Sequence, residues 1–186
     1  MRIIGGRMRG LGLASVGKGD SGAHLRPTTD RVRESIFNLL VNGGYGDPIA
    51  DACVLDLFAG TGALGLEALS RGAEFVTFVD NGRVSSRLLA NNIGRAKAQD
   101  FVRVIRQDAV RLGAADRSAS LVFLDPPYGK DLGIKALEAA VAGGWIATDA
   151  LVVWEKASPQ DAPDGFSVQD SRKYGDTFVT LMTFEG

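Results

Sequence analysis

Short apolar runs alternate with longer amphipathic segments between residues 52 and 154, and no other feature constrains the fold as strongly. Strands are predicted for the apolar runs at 52–57, 75–79, 102–105, 121–124 and 151–154, and helices for the segments at 63–70, 84–96 and 134–142. Continuous apolar strands joined by helices form parallel sheets that are covered on both faces. The pattern therefore predicts a doubly wound α/β fold.

The end of the chain breaks this alternation. Two more apolar runs, at 166–168 and 177–184, follow one another with no helical segment between them, and a polar turn at 172–176 joins them. Such a pair predicts an antiparallel hairpin at one edge of the sheet. Together with the five earlier strands, it makes a mostly parallel seven-stranded sheet.

The first residues follow a different pattern. Alternation over residues 1–13 predicts a small β-hairpin, and the glycine-rich stretch 14–25 predicts a loop. Thr28 or Thr29 can cap a helix that the pair Gly43–Gly44 ends. We therefore predict two parts, an N-terminal hairpin and loop extension (1–27) and one α/β domain (28–186).

Charge is unevenly distributed although it is nearly balanced overall, with 21 basic and 22 acidic residues. Residues 1–33 carry seven lysines and arginines but only two aspartates, and the rest of the chain is net acidic. A basic segment at one end of a mildly acidic body is typical of proteins that bind a polyanion. A solvated, flexible terminus gives the same charge distribution, so both interpretations stay open.

Composition excludes several classes of site. The chain has one cysteine and one histidine, so it has neither a disulfide framework nor the ligands of a zinc cluster, and we predict no metal site. Cys53 lies in an apolar run and is expected in the core. No apolar stretch approaches the roughly 20 residues that span a bilayer, and no signal peptide is evident, so we expect a cytoplasmic protein.

A strand, a glycine turn and a helix follow one another at residues 54–65 (VLDLFAGTGALG), and the segment 60–65 fits the pattern G-x-G-x-x-G. Glycines allow the tight turn and let a ligand approach the amides at the start of the helix. Asp80 lies 20 residues after the first glycine, at the end of the next predicted strand. The motif predicts a nucleoside-binding site and leaves the cofactor open.

Acidic residues at the strand ends favour S-adenosyl-L-methionine (AdoMet) over a dinucleotide. Asp56 precedes the glycines; its carboxylate would repel a pyrophosphate but would hold the cationic amino group of a methionine moiety. Asp80 can accept the ribose hydroxyls, and Asp108 can accept from the adenine amine, although Asp108 could equally cap a helix. The predicted cofactor-binding residues are Asp56, Phe58, Gly60, Gly62, Asp80, Asn81, Asp108 and Ala109.

The segment Asp125-Pro126-Pro127-Tyr128 follows the fourth predicted strand. Consecutive prolines make a stiff, extended loop without two N–H donors, so the Asp125 side chain and the loop carbonyls remain available as acceptors. Those acceptors suit a planar amine, and Tyr128 offers a ring on which a base can stack. The other interpretation is a proline-rich turn with a capping aspartate. We predict that Asp125, Pro126, Pro127 and Tyr128 form the catalytic segment.

These motifs resemble known families. Residues 125–128 resemble the [N/D]-P-P-Y motif of amino methyltransferases, whose class I members have a Rossmann-like fold. Residues 1–7 (MRIIGGR) and 26–38 (RPTTDRVRESIFN) resemble the bacterial 16S ribosomal RNA guanine-N2 methyltransferase (RsmD) family, and the resemblance runs over nearly the whole chain. Gly12, where the family pattern has a basic residue, and the long glycine-rich loop depart from that pattern.

The resemblance implies that residues 28–186 form an AdoMet-dependent methyltransferase domain. It implies methylation of a guanine N2 amine in 16S rRNA, within a partly assembled small ribosomal subunit, by a monomer. The candidate RNA-binding residues are Arg7, Arg9, Arg26, Thr28 and Arg31. Arg33 could also hold a phosphate, or could pair with Asp30 or Glu34 on the helix surface.

Three alternatives remain open. A DNA-adenine or protein-glutamine methyltransferase would share residues 125–128, although the N-terminal block argues against both. A nicotinamide-dependent oxidoreductase would explain the glycines but neither Asp56 nor the proline pair. A noncatalytic RNA-binding assembly factor would bind RNA without transferring a methyl group.

Overall fold

The computed structural model describes residues 1–15, 29–127 and 131–186. In chain order its helices and strands are α1 (Asp30–Asn42), β1 (Cys53–Leu57), α2 (Ala63–Ser70), β2 (Phe75–Val79), α3 (Arg83–Ala96), β3 (Val102–Ile105), β4 (Ala119–Leu124), α4 (Leu132–Ala142), β5 (Ile146–Lys156), β6 (Phe166–Tyr174) and β7 (Thr177–Phe184). Two short 3-10 turns, Gln99–Phe101 and Ala109–Arg111, flank β3. In this part of the chain, no helix has the length and apolar character that a membrane span requires.

The strands form one seven-stranded sheet in the order β3-β2-β1-β4-β5-β7-β6. The first five pair in parallel, and β7 pairs antiparallel with both β5 and β6. This arrangement confirms the predicted mostly parallel sheet with an antiparallel hairpin at its edge. It also places the carboxyl ends of β1, β2, β4 and β5 along one edge of the sheet, where ligands bind in folds of this class.

Two of the strands are much longer than predicted, and β4 begins two residues earlier than predicted, at Ala119. The fifth was predicted over residues 151–154, yet β5 begins at Ile146, and the sixth was predicted over 166–168, yet β6 continues to Tyr174. Exposed polar residues such as Thr148 and Asp149 interrupt the apolar pattern of β5. Backbone pairing with neighbouring strands extends both strands beyond their apolar residues.

Each face of the sheet is covered by helices. Apolar residues of α1, α2 and α3 pack on one face, against strand residues such as Phe123 and Val153. Those of α4 pack on the other face, against residues such as Val122 and Val152. Successive residues of one strand therefore enter different cores, as the alternation of side chains along a strand requires. Cys53 was expected in the core but is only half-buried, at the start of β1.

Residues 1–15, which we call the N-terminal segment, fold back on themselves as predicted, but with a single antiparallel bridge, between Arg2 and Gly12. Ile3 donates from its backbone to the carbonyl of Leu11 at 2.9 Å. Ile3 and Leu13 are buried in the same core as α1, α2 and α3. The segment therefore packs into the body of the protein, while the division into parts 1–27 and 28–186 stays a prediction.

Glu67 of α2 attaches the N-terminal segment. Its carboxylate is fully buried and accepts from the backbone N–H groups of Ile4 and Gly5, each at 2.8 Å. It also accepts from Nε of Arg71 at 2.8 Å. Ser70, at the end of the same helix, donates through Oγ to the carbonyl of Gly5 at 2.6 Å. A buried carboxylate is tolerated where charged and backbone donors surround it in this way.

Arg33 belongs to the same cluster and not to the surface. Thr29 caps α1, as predicted, by accepting from the N–H of Val32 at 3.3 Å. One helical turn into α1, Arg33 is fully buried; its Nη2 donates to Asp30 at 2.9 Å and to the carbonyl of Arg2. The suggested phosphate contact by Arg33 is therefore wrong. The pairing with Asp30 is correct, but it lies inside the protein.

Candidate active site

Three aspartates meet at the carboxyl edge of the sheet. Asp56 lies near the end of β1, whose neighbours in the sheet are β2 and β4. Asp80 follows β2 directly and Asp125 follows β4 directly. The charges of Asp80 and Asp125 both act on the Asp56 carboxyl. The structure therefore brings together three side chains that lie up to 69 positions apart in the chain.

Residues 58–62, which we call the glycine loop, connect β1 to α2. The backbone has positive φ angles at Phe58 (60°), Gly60 (56°) and Gly62 (77°). A positive φ is uncommon for a bulky residue such as Phe58, and such strain persists where the surrounding structure imposes it. Two backbone bonds hold the loop: Ala59 donates to the carbonyl of Val79 at 3.0 Å, and Gly62 donates to that of Ala59 at 2.7 Å.

Two glycines in this region are also required by packing. A Cβ atom on Gly62 would lie 2.4 Å from Cδ1 of Leu89 on α3. A Cβ atom on Gly65 would lie 2.4 Å from the ring of Phe78 on β2. The motif was predicted from the turn and from ligand approach, but its last glycine serves the close contact between α2 and the sheet.

Asp56 is the most buried of the three aspartates, with 2% of its surface exposed. Its Oδ2 accepts from the N–H of Gly65 at 3.0 Å. Burial raises the pKa of Asp56 well above its ordinary value of 3.8; the Gly65 hydrogen bond lowers that pKa, and the charges of Asp125 and Asp80 raise it. Such a carboxyl is destabilised in its charged form, so a cationic partner would interact with it strongly.

The Asp80 carboxylate accepts hydrogen bonds from the glycine loop and from the residues that precede α3. One of its oxygens accepts from the N–H of Gly60 at 2.8 Å and the other from the N–H of Gly82 at 2.7 Å. A carboxylate has about four acceptor positions, so its geometry is compatible with ribose hydroxyls as additional donors. Its neighbour Asn81 is exposed at the same edge. Binding of a cofactor by either residue stays a prediction.

Asp108 follows β3, one strand further from Asp56. It caps the 3-10 turn Ala109–Arg111 by accepting from the N–H of Val110 at 3.2 Å. The capping role that the sequence left open is therefore present. Contact with adenine would use the remaining acceptor positions of Asp108, and Ala109 is buried beside it. Both assignments stay predictions.

The catalytic segment begins where β4 ends. The N–H of Asp125 donates to the carbonyl of Leu57 at 3.5 Å, which ties the segment to the end of β1. Asp125 and Pro126 are half-buried, and Pro127 is exposed. Tyr128, the proposed stacking residue, lies outside the described residues. The described part of the segment therefore opens to solvent beside the glycine loop.

Glu155, which the sequence analysis did not single out, lies next to this segment. Leu124 and Trp154 are partners in the parallel register of β4 and β5, so the following residues, Asp125 and Glu155, are also neighbours. Glu155 is only 5% exposed. The available signal was an acid directly after the apolar run 151–154, because ligands in folds of this class bind at the carboxyl ends of the strands.

The candidate RNA-binding residues are not all close to this site. Arg9 and Arg31 are exposed, and Arg26 and Thr28 lie outside the described residues. Arg7 is also exposed, but its N–H donates to the carbonyl of Ser70, at the far end of α2 from the glycine loop. Eight helical residues separate the two ends by about 12 Å.

A groove of about 420 Å³ lies beside Arg7. It is lined in part by Arg71 and Phe101, and the guanidinium of Arg7 lies 5.4 Å from the centre of the Phe101 ring. The groove therefore lies away from Asp125, at the opposite end of α2.

The bonding at the site fits AdoMet better than a dinucleotide. A pyrophosphate needs free amides at the start of the helix, but the N–H groups of Gly60 and Gly65 already donate to Asp80 and Asp56. Three carboxylates would also repel it. A sulfonium nucleoside with a cationic amino group and no phosphate suits the same surroundings. That Asp56 and Asp80 hold this cofactor stays a prediction.

Known proteins match this chain along almost its whole length. A family model described as conserved hypothetical protein 95 matches residues 1–183. The protein named ribosomal RNA small subunit methyltransferase D of Escherichia coli K12 is 39% identical over 164 residues, which are 88% of this chain and 78% of that protein. The solved structure of yhhF from Escherichia coli is similar with a TM-score of 0.81 at 36% identity, covering 100% of this chain and 98% of that one.

A more distant solved structure has the same fold. It is an RNA methyltransferase from Salinibacter ruber in complex with S-adenosyl-L-homocysteine, with a TM-score of 0.65 at 18% identity. The alignment covers 86% of this chain and 94% of that one. The family match and the structural similarities therefore point to the same fold.

Proposed function

This chain belongs to the RsmD family of AdoMet-dependent methyltransferases, described as conserved hypothetical protein 95, and we propose that it methylates the exocyclic N2 amine of a guanine in 16S ribosomal RNA. The observation that carries the proposal is the position of Asp125, which follows β4 beside the glycine loop and within electrostatic reach of Asp56. An acceptor for an amine therefore lies next to the residues that suit the cofactor.

The choice of an RNA substrate is supported by the relatives and by the N-terminal block. The Escherichia coli relative is named for methylation of small-subunit ribosomal RNA. The basic residues of the N-terminal segment and of α1 supply charges that phosphates would bind. We propose 16S rRNA in a partly assembled small subunit as the substrate, and a monomer as the active form.

In the proposed reaction, residues 125–128 orient the amine. Bound AdoMet supplies a methyl group that is already activated on a sulfonium. The Asp125 carboxylate accepts one hydrogen of the base amine and the Pro126 carbonyl accepts the other, which directs the nitrogen lone pair toward the methyl group. Tyr128 stacks on the base. Positioning of this kind supplies a large part of the rate of a transfer between two bound groups.

Asp125 acts as an acceptor more than as a strong base. The amine proton becomes acidic only as the new nitrogen–carbon bond forms, so the proton leaves late, to Asp125 or to water. A guanine within a helix could not reach this segment, so the target must be unpaired or flipped out. Arg7, Arg9, Arg26, Thr28 and Arg31 would hold the flanking phosphates without reading the sequence.

The first prediction concerns Asp125. Small subunits from cells that lack this protein are incubated with it and with labelled AdoMet, and the nucleosides are then analysed. Wild-type protein is expected to give N2-methylguanosine in 16S rRNA. Asp125→Ala is expected to lower kcat by about 100-fold or more, as for other groups that act in the transition state. Asp125→Asn keeps one acceptor oxygen and should lose less.

The controls separate chemistry from binding. AdoMet affinity and thermal stability should be nearly the same in the Asp125 variants as in the wild type. Label on N6 of adenine or on protein glutamine would replace guanine N2 with the corresponding alternative. Tight AdoMet binding with no label on subunits or on free 16S rRNA would contradict the proposed substrate.

A further inference from the structure

Asn92 of α3 joins two parts of the chain that the proposed function uses separately. The residue is fully buried. Its side-chain nitrogen donates to the carbonyl of Thr61 at 2.9 Å and to that of Ala14 at 3.1 Å. Its oxygen accepts from the N–H of Ala14 at 2.7 Å. One amide therefore makes three hydrogen bonds to two segments that are far apart in sequence.

Both segments have a place in the proposed reaction. Thr61 lies between Gly60 and Gly62 in the glycine loop. Ala14 lies near the end of the N-terminal segment, which carries Arg7 and Arg9. Asn92 is thus bonded to the loop beside the cofactor and to the segment that is proposed to contact RNA.

Two more contacts join the same parts. The hydroxyl of Thr61 lies 3.6 Å from the sulfur of Met1, at the other end of the N-terminal segment. Nη1 of Arg95, one turn further along α3, donates to the carbonyl of Gly12 at 3.1 Å. The two ends of the segment are therefore held against the glycine loop and α3, with the buried amide of Asn92 between them.

We propose that Asn92 is a positioning residue that couples cofactor binding at the glycine loop to RNA binding by the N-terminal segment. The proposal rests on the proposed function for its RNA part. The glycine loop has positive φ at three residues and needs external contacts to keep that shape. When RNA restrains the N-terminal segment, Asn92 in turn restrains Thr61 in the glycine loop. AdoMet then loses less conformational entropy in ordering that loop, so it binds more tightly. By linkage, AdoMet increases RNA affinity by the same factor.

The test compares full-length wild type with Asn92→Ala and with Asn91→Ala. Asn91 is the adjacent exposed control, and its side chain accepts from Nε of Arg95, which also bonds to Gly12. Unchanged coupling in Asn91→Ala would therefore assign the coupling to Asn92 and not to the Arg95 contact. AdoMet affinity is measured by calorimetry with and without a 16S rRNA fragment. We expect RNA to tighten AdoMet binding in wild type and in Asn91→Ala. In Asn92→Ala we expect AdoMet binding to weaken about tenfold and the effect of RNA to disappear.

A second measurement needs no RNA. Hydrogen exchange at the amides of Ile3, Gly10 and Leu13, which all bond within the N-terminal segment, is followed with and without AdoMet. AdoMet should slow exchange at these amides in wild type and in Asn91→Ala, but not in Asn92→Ala. A purely structural Asn92 would lower the melting temperature and leave this transmitted protection unchanged.

The outcomes separate the two proposals. Equal AdoMet affinity with and without bound RNA in wild type would overturn the coupling, and so would the absence of AdoMet-dependent protection in the N-terminal segment. Failure of wild type to bind any 16S rRNA fragment would overturn the proposed function, and the exchange measurement would still decide the coupling. If Asn92→Ala does not fold, Asn92→Ser replaces it in both measurements, because one hydroxyl cannot make all three hydrogen bonds of the amide.

Discussion

Asp56 illustrates how a residue is kept at a cost to stability. Its carboxyl is buried next to two other acids, and a buried charge without a matching cation is expensive. The hydrogen bond from Gly65 offsets only part of that cost. We propose that the cationic amino group of AdoMet offsets the rest of this cost when the cofactor is bound.

We therefore predict opposite effects of Asp56→Asn on stability and on binding. The folded protein holds the Asp56 proton more tightly than the unfolded chain, so its free energy of unfolding decreases as pH rises from the ordinary pKa through the raised pKa. Asp56→Asn removes this decrease and should be more stable than wild type at about pH 8. AdoMet binding should weaken by about tenfold to a hundredfold, since a charged hydrogen bond is lost.

The pH dependence of AdoMet affinity tests whether the charged form of Asp56 binds the cofactor. Protonation removes the charge of Asp56, so wild-type affinity should decrease as pH falls through the raised pKa, and the affinity of Asp56→Asn should not follow this change. Calorimetry at several pH values measures it. Asp100→Asn, at an exposed position, is the control and should behave as wild type. Equal pH profiles for wild type and Asp56→Asn would contradict the role of Asp56.

Helices α2 and α3 show when packing against the sheet requires a glycine within a helix. Both contain a glycine, and glycine lowers helix stability by roughly 1 kcal/mol relative to alanine. In α2, Gly65 lets the helix approach Phe78 and Val76 of β2. In α3, a Cβ atom on Gly94 would meet nothing within 4 Å. Packing therefore explains the glycine at position 65 and does not explain the one at position 94.

Alanine at the two positions should change stability in opposite directions. Gly65→Ala should lower the free energy of unfolding by about 1–3 kcal/mol, because the new methyl group overlaps the Phe78 ring. Gly94→Ala should raise it by about 0.5–1 kcal/mol, because it adds helix propensity without a clash. Urea denaturation measures both. A stable Gly65→Ala variant would show that α2 can shift on the sheet.

The function of each basic residue depends on its position in the whole folded molecule. Arginines that are close in sequence occupy different environments: Arg31 is exposed at the start of α1, whereas Arg33 is buried with Asp30 and near Glu67. Only an exposed arginine can bind a phosphate without disturbing the core. The basic character of the first 33 residues therefore divides between RNA contact, which we propose, and internal support.

This division predicts different consequences for two neighbouring substitutions. Arg31→Ala should leave stability within about 0.5 kcal/mol of wild type and should reduce the slope of log affinity against log salt by about 0.7–0.9 for each lost RNA phosphate contact. Arg33→Ala should instead destabilise the fold by about 3–5 kcal/mol, since Glu67 and Asp30 lose a buried partner. Filter binding at several salt concentrations and urea denaturation measure these effects. An unchanged salt slope for Arg31→Ala would exclude Arg31 from the RNA interface.

Much of the site could be read from the sequence because its signals are local. Residues 54–65 and 125–127 are continuous segments, and parallel strands place their carboxyl ends at one edge whatever the details of packing. The order of the elements followed from the same local alternation. Glu155 was missed because its position beside Asp125 depends on the pairing of β4 with β5, which no single segment reveals.

By itself, the sequence determined the class of sheet, the position of the glycine loop and the candidate catalytic segment, since burial period and turn chemistry act over a few residues. Only the tertiary structure decided the roles of Glu67, Arg33 and Asn92. Glu67 bonds to Ile4 across 63 positions, and Asn92 bonds to Ala14 across 78. A polar side chain is buried where distant donors and acceptors satisfy it, and those partners exist only once the chain has folded.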